Sequence, residues 1–346
     1  MNQRIEYLDA MRGLTMILVV LSHIVFFGLG NINWAFNDFF CSFRMPLFFF
    51  ISGFLFFKHN RQWDYITIKS FIAKKFLVQI IPTCIFLFLF IYVYNLFELK
   101  SLGSYKLGYW FTITLFEYFL LYIISTKALF YFNNTGYIFI TIISLIISFS
   151  SFLYGNYHQG TGRIEDSVLW ELSLSAIGFV NFKYYCFFMF GTLTKQYFNL
   201  FVKFIDNQYF IGVVVILFFL FPIFTDPDLY TYNFVGFFLR GILGVIVIFC
   251  FFRNNAIHFN NNHIWGKSLQ YIGRRTLDIY LLHYFFLPRD IRDIQVFLNN
   301  CNSSLIELFT AFILSLMVIF ITLLISNTLR LSPLLAHYLF GVKRNK

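Results

Sequence analysis

Charge is scarce in this chain. Only 12% of its 346 residues are Asp, Glu, Lys or Arg, about half the share of a soluble domain, so it cannot coat a water-facing surface. Cysteine chemistry is equally thin. Cys41, Cys84, Cys186, Cys250 and Cys301 are scattered, mostly inside apolar runs and without CxxC spacing, so they are expected to be packing residues and no metal site is expected. The first apolar run lacks a small-residue cleavage site and leads straight into more apolar sequence, which predicts an uncleaved signal anchor. No basic stripe interleaved with aromatics lies outside the apolar runs, so no nucleic-acid partner is expected.

What is present is hydrophobic length. Hydrophobic residues make up 59% of the chain, in stretches of about 17 to 22 that match the hydrocarbon core. The sequence predicts an all-α, polytopic membrane helix bundle of about ten transmembrane helices, at 13–30, 39–57, 76–97, 107–126, 137–154, 184–198, 209–225, 234–252, 271–288 and 305–329. One integral membrane domain over 1–346 is expected, with no appended soluble domain. With the N-terminus cytoplasmic, eighteen of the 26 Lys and Arg residues fall inside and six outside. That bias predicts cytoplasmic termini on both ends and accounts for most of the net charge of +10. The long outer segment, 155–183, carries His158, Arg163, Glu165, Asp166 and Glu171, as the cap of an acceptor site or as a solvated loop.

Ionisable groups within the spans are costly in hydrocarbon and face the bundle interior. They are Arg44, Glu117 and Arg240, joined by His23 and His283. Counted inward from the helix ends, all five lie in the middle or outer third of the membrane. They are candidates for one polar cavity, or for structural pairs such as Glu117 with Arg240. Imidazole is the side chain best suited to accept and return a proton near neutral pH.

The sharpest pattern is Arg12 followed, after ten residues, by His23. Eleven helical steps leave both side chains within about 20° of one face and about 16 Å apart along the axis. One long ligand spans that distance. An acyl-CoA fits, with a phosphate on Arg12 at the cytoplasmic mouth and the thioester near His23, which takes the proton of an acceptor hydroxyl.

Six segments carry a resemblance. They are YLDAMRGLTMILVVLSH at 7–23, PLFFFISGFLFF at 46–57, YWF at 109–111, FFMFGTL at 187–193, GRRTLDIYLLH at 273–283 and LAHYLFG at 335–341. In order and spacing the chain resembles acyltransferase family 3, the integral membrane O-acyltransferases of cell-envelope carbohydrates. The resemblance implies transfer of an acyl group, usually acetyl, from cytoplasmic acyl-CoA to a hydroxyl of an envelope carbohydrate or lipid-linked sugar, in a bacterial inner membrane. Acyl-CoA is then a co-substrate, and no tightly bound cofactor is expected. His23 and Arg12 match the family's essential histidine and arginine. Ser52 matches its FF–SG segment, Arg274 and Arg275 the stretch before its IYLLH, and His283 the end of that motif. The site residues expected on this basis are His23 and Glu117 for catalysis, with Glu117 orienting His23. Arg12, Arg44, Ser52, Arg274 and Arg275 are expected to bind acyl-CoA, and Arg240 and His283 the acceptor. Direct transfer and a two-step route through an acyl-enzyme both fit. A transporter or flippase of an envelope precursor would also use ten helices and buried charges, but the two halves show no inverted repeat.

Overall fold

Long apolar runs with few breakers can satisfy their backbone in lipid only as helices. The computed structural model describes residues 5–30, 35–59, 61–94, 108–128, 135–161, 178–224, 233–289, 291–301 and 303–342, and no strand occurs among them. In chain order the helices are α1 (Glu6–Phe27), α2 (Ala35–Phe56), α3 (Tyr65–Lys75), α4 (Ile81–Val93), α5 (Trp110–Ala128), α6 (Thr135–Thr161), α7 (Tyr185–Gln196) and α8 (Phe198–Ile205). Then come α9 (Gln208–Phe224), α10 (Phe234–Asn254), α11 (Ile264–Arg274), α12 (Thr276–Leu282), α13 (Arg292–Cys301), α14 (Ser304–Leu329) and α15 (Pro333–Phe340).

Among the described residues seven continuous helical stretches are long and apolar enough to cross a membrane, and α8 with α9, bent by 78°, makes an eighth. The protein is a multi-pass, all-α membrane protein. The other two stretches expected from sequence are helical but short. At 184–198 stands the twelve-residue α7. The 271–288 stretch breaks at Arg275, which ends α11 and opens α12, and tightens to a 3-10 turn at His283–Phe285.

Several helix starts lie earlier than hydropathy places them, among them those of α2 and α11. Helix α1 begins at Glu6, because Glu6 and Asp9 favour the unpaired N–H groups of a first turn. The third stretch starts at Tyr65, because Lys69, Lys74 and Lys75 mark polarity and do not break a helix. It runs on to Val93 through a π turn at Phe76–Ile80, just before Pro82. Proline has no N–H and crowds the carbonyl four residues back, so the wider turn relieves the clash. Of the outer segment at 155–183, residues 162–177 and the side chains of 158–161 lie outside the described residues.

The helices form two compact units. The first comprises Met1–Phe48, Phe204–Phe224 and Arg240–Ala336. Its α1 and α11 meet backbone to backbone: a Cβ on Gly13 would collide with the Leu269 carbonyl, and one on Gly273 with the Asp9 carbonyl. Small residues are what allow such an approach between membrane helices. The end of α1 is tied to α13, where the Gly28 carbonyl accepts from the Ile291 amide at 3.2 Å and from Gln295 Nε2 at 2.9 Å.

The second unit comprises Phe49–Lys203, Thr225–Leu239 and His337–Lys346. There Gly53 faces the Phe188 carbonyl and Gly191 the Phe50 carbonyl, so the small residue of the SG pair does the work of packing. Phe49, Tyr118 and Phe188 are buried around them. Gln79 Nε2 donates to the Thr112 carbonyl at 2.8 Å, which anchors the π turn to α5.

Candidate active site

His23 lies in the last turns of α1, and His283 follows α12 directly, where the helix tightens. In the first unit they meet: His23 Nδ1 and His283 Nε2 are 2.9 Å apart. Their rings are within 9° of parallel with centroids 5.1 Å apart. The centroid spacing exceeds the nitrogen spacing by about two ring radii, so the imidazoles meet edge to edge. His283 is fully buried, whereas His23 keeps an accessible edge.

The other nitrogen of His283 fixes the protons. Nδ1 of His283 is 2.9 Å from the Ile279 carbonyl, which can only accept, so His283 Nδ1 carries the hydrogen. In a neutral ring its Nε2 is then an acceptor, and His23 Nδ1 must donate to it. The unprotonated nitrogen of His23 is therefore Nε2, on the side of the Tyr284 hydroxyl at 3.5 Å. A base needs this arrangement, with one nitrogen held by a partner and the other offering a lone pair.

Arg12 stands eleven residues before His23 on the same unbroken helix and is partly exposed, with Nη1 3.9 Å from Asp9 Oδ1. Arg44, on α2, has Nε and Nη1 shielded from solvent with no hydrogen-bond partner among the described residues. Arg240 is buried at 6% exposure, with its guanidinium carbon 5.9 Å from the centre of the Phe39 ring. Arg274 is exposed at the end of α11. Arg275 is engaged within the protein: it donates to Asp278 at 3.2 Å and to Asn327 at 3.3 Å.

Glu117 and Ser52 belong to the second unit, both half-buried, with Glu117 Oε2 shielded from solvent. His23, Arg44, His283 and Arg12 thus share the first unit with Arg240, Arg274 and Arg275.

Sequence inspection missed three features here. Tyr284 was hidden as one of 22 tyrosines. Asp278 is a carboxylate inside the apolar run LDIYLL, a signal of the same kind that picked out Glu117. Arg330, counted only as a basic flank, binds Asp278 through two parallel hydrogen bonds, Nε to Oδ2 at 2.9 Å and Nη2 to Oδ1 at 2.8 Å. Ser326 also donates to Asp278, which is only 2% exposed. This cluster pins α12, and with it the turn bearing His283, to the end of α14.

A membrane bundle that holds a directed imidazole lone pair, with an arginine a ligand's length away on the same helix, has the layout of a membrane-embedded group-transfer enzyme. A family model described as an acyltransferase domain matches residues 5–327, and the chain belongs to that family, acyltransferase family 3. No curated protein and no solved structure matches it significantly.

Proposed function

We propose that this membrane acyltransferase moves an acyl group, acetyl in the simplest case, from cytoplasmic acyl-CoA to a hydroxyl of a cell-envelope carbohydrate or lipid-linked sugar. The observation that carries the proposal is the unprotonated Nε2 of His23, directed by the hydrogen bonds of His283. Arg12, at the start of the same helix, supports a donor that reaches from an anionic group at the mouth to a thioester near His23. Arg274 supplies further positive charge for the CoA phosphates. The bacterial inner membrane, with both termini cytoplasmic, is the setting that the charge bias and the family support.

In this mechanism the acceptor hydroxyl gives its proton to His23 Nε2 as its oxygen attacks the thioester carbonyl carbon. The tetrahedral intermediate collapses, the carbon–sulfur bond breaks, and the CoA thiolate takes the proton back from His23. While His23 is charged, its Nδ1–H stays on His283 Nε2, a neutral acceptor that stabilises the imidazolium.

The test is transfer from radiolabelled acetyl-CoA in membranes that contain the native acceptors. His23→Ala is expected to lose about 10²- to 10⁴-fold in kcat, the usual weight of a general base. Arg12→Ala is expected to act mainly on KM for acetyl-CoA. Undiminished transfer by His23→Ala sinks the mechanism, and absence of transfer by the wild type favours a transporter.

A further inference from the structure

We infer that Arg44 is a catalytic residue that receives the oxygen of the acyl-thioester carbonyl as negative charge develops on it. The inference rests on the acyl-transfer function proposed above and supplies the electrophilic half of the site whose basic half is His23.

Arg44 differs from other arginines of the protein in its surroundings. Arg12, Arg253, Arg275 and Arg330 each have a carboxylate within 4 Å, on Asp9, Asp206, Asp278 and Asp278 respectively. Arg44 lies in the middle of α2 between the buried Phe43 and Met45, and its Nε and Nη1 are shielded from solvent with no acceptor among the described residues. The residue as a whole is half-buried, with these two donors on its shielded side. Buried donors without acceptors weaken a fold, and a charge in a membrane interior weakens it more. Such a group persists where a ligand completes it.

Position decides which ligand. Helices α1 and α2 pack side by side here: Ser22 Oγ lies 4.0 Å from Cys41 Sγ, and Leu18 and Phe43 share one core cluster. Arg44 comes one helical turn after Cys41, on the same face, and His23 directly follows Ser22, so the cation belongs to the same stretch of the α1–α2 seam as the base. Arg12, at the start of α1 and partly exposed, is the arginine suited to a CoA phosphate. About 16 Å of helix separates it from His23. A negatively charged atom beside His23 is instead the one the reaction creates. As the acceptor oxygen forms its bond to the carbonyl carbon, the C=O electron pair moves onto oxygen, and the preformed N–H donors of Arg44 take that charge. When the pair returns, the carbon–sulfur bond breaks and the thiolate leaves. Donors fixed before the reaction need no reorganisation during it, which is why such groups act on the transition state more than on bound substrate.

The experiment compares wild type, Arg44→Gln and Arg44→Lys in acetyl-CoA turnover by membranes holding the native acceptors, alongside equilibrium binding of CoA and thermal unfolding in detergent. Arg44→Gln is expected to lose about 10²- to 10³-fold in kcat, with KM for acetyl-CoA and affinity for CoA within about threefold of wild type. Arg44→Lys keeps the charge and recovers part of the loss. If the Gln variant does not accumulate, the same split between kcat and KM is read from the Lys variant. Retention of kcat, or a defect confined to CoA affinity, overturns the assignment. Absence of any acetyl transfer by the wild type, with His23→Ala indistinguishable from it, instead defeats the acyl-transfer function on which the assignment rests.

Discussion

His23 and His283 lie 260 positions apart in the chain, and their ring nitrogens come within 2.9 Å. The contact has a direction. It starts at the Ile279 carbonyl, passes through His283 and leaves the lone pair of His23 on Nε2. Both nitrogens of His283 are engaged inside the protein, which supports a positioning role for it in the mechanism proposed above, whereas the expectation from sequence is acceptor binding.

That role predicts a graded response at position 283. His283→Leu removes the acceptor for His23 Nδ1–H and should lower kcat by about 10²-fold, within the range for losing a well-placed general base. His283→Gln offers an amide oxygen to the same N–H and should retain part of the activity. Nitrogen-15 spectra of His23 check the cause: Nδ1 should be protonated in the wild type, with the preference lost in the Leu variant. Equal activity in wild type and both variants would remove the positioning role.

Asp278 predicts a stability effect. Asp278→Ala strands two guanidinium groups at a site where the carboxylate is buried. Breaking a fully buried pair costs about 3–5 kcal/mol, but Arg275 and Arg330 retain 24% and 22% of their side-chain exposure. Solvent screening reduces the expected loss to about 1–3 kcal/mol. Turnover should fall as well, since α12 carries the turn with His283. A melting temperature within error of wild type would contradict this.

The pair between Arg253 and Asp206 supplies the contrast. Asp206 is 51% exposed, and exposed pairs contribute about 0–1 kcal/mol. Asp206→Ala should shift thermal unfolding by less than Asp278→Ala and leave acetyl transfer unchanged, measured side by side. A larger effect at Asp206 would mean that burial is not what ranks these two carboxylates.

Gly273 predicts the cost of a single methyl group. In Gly273→Ala the new carbon meets the backbone carbonyl of Asp9, which cannot swing aside as a side chain would. Overpacking of this kind typically costs about 1–3 kcal/mol. The variant should unfold at lower temperature and lose activity together, because α11 leads directly into α12 and the turn bearing His283. Wild-type stability in Gly273→Ala would show that α1 and α11 can separate freely.

Much of this protein follows from local sequence. Long apolar runs with little charge leave helices as the way to satisfy the backbone in lipid, and the fixed turn of a helix places Arg12 and His23 on one face without any tertiary information. Helix ends were less legible, because Lys69, Lys74 and Lys75 read as a boundary while hydrogen bonding carries the helix past them. The short α7 and the break at Arg275 were illegible for a similar reason, since hydropathy measures apolar content and not helical continuity. In the sequence the site is a set of polar residues at similar depth, and depth does not specify partners. The union of His23 with His283, the proton arrangement that follows and the clasp of Asp278 by Arg330 were decided by tertiary structure, because contacts between residues 260 and 52 positions apart leave no periodic trace in a single chain.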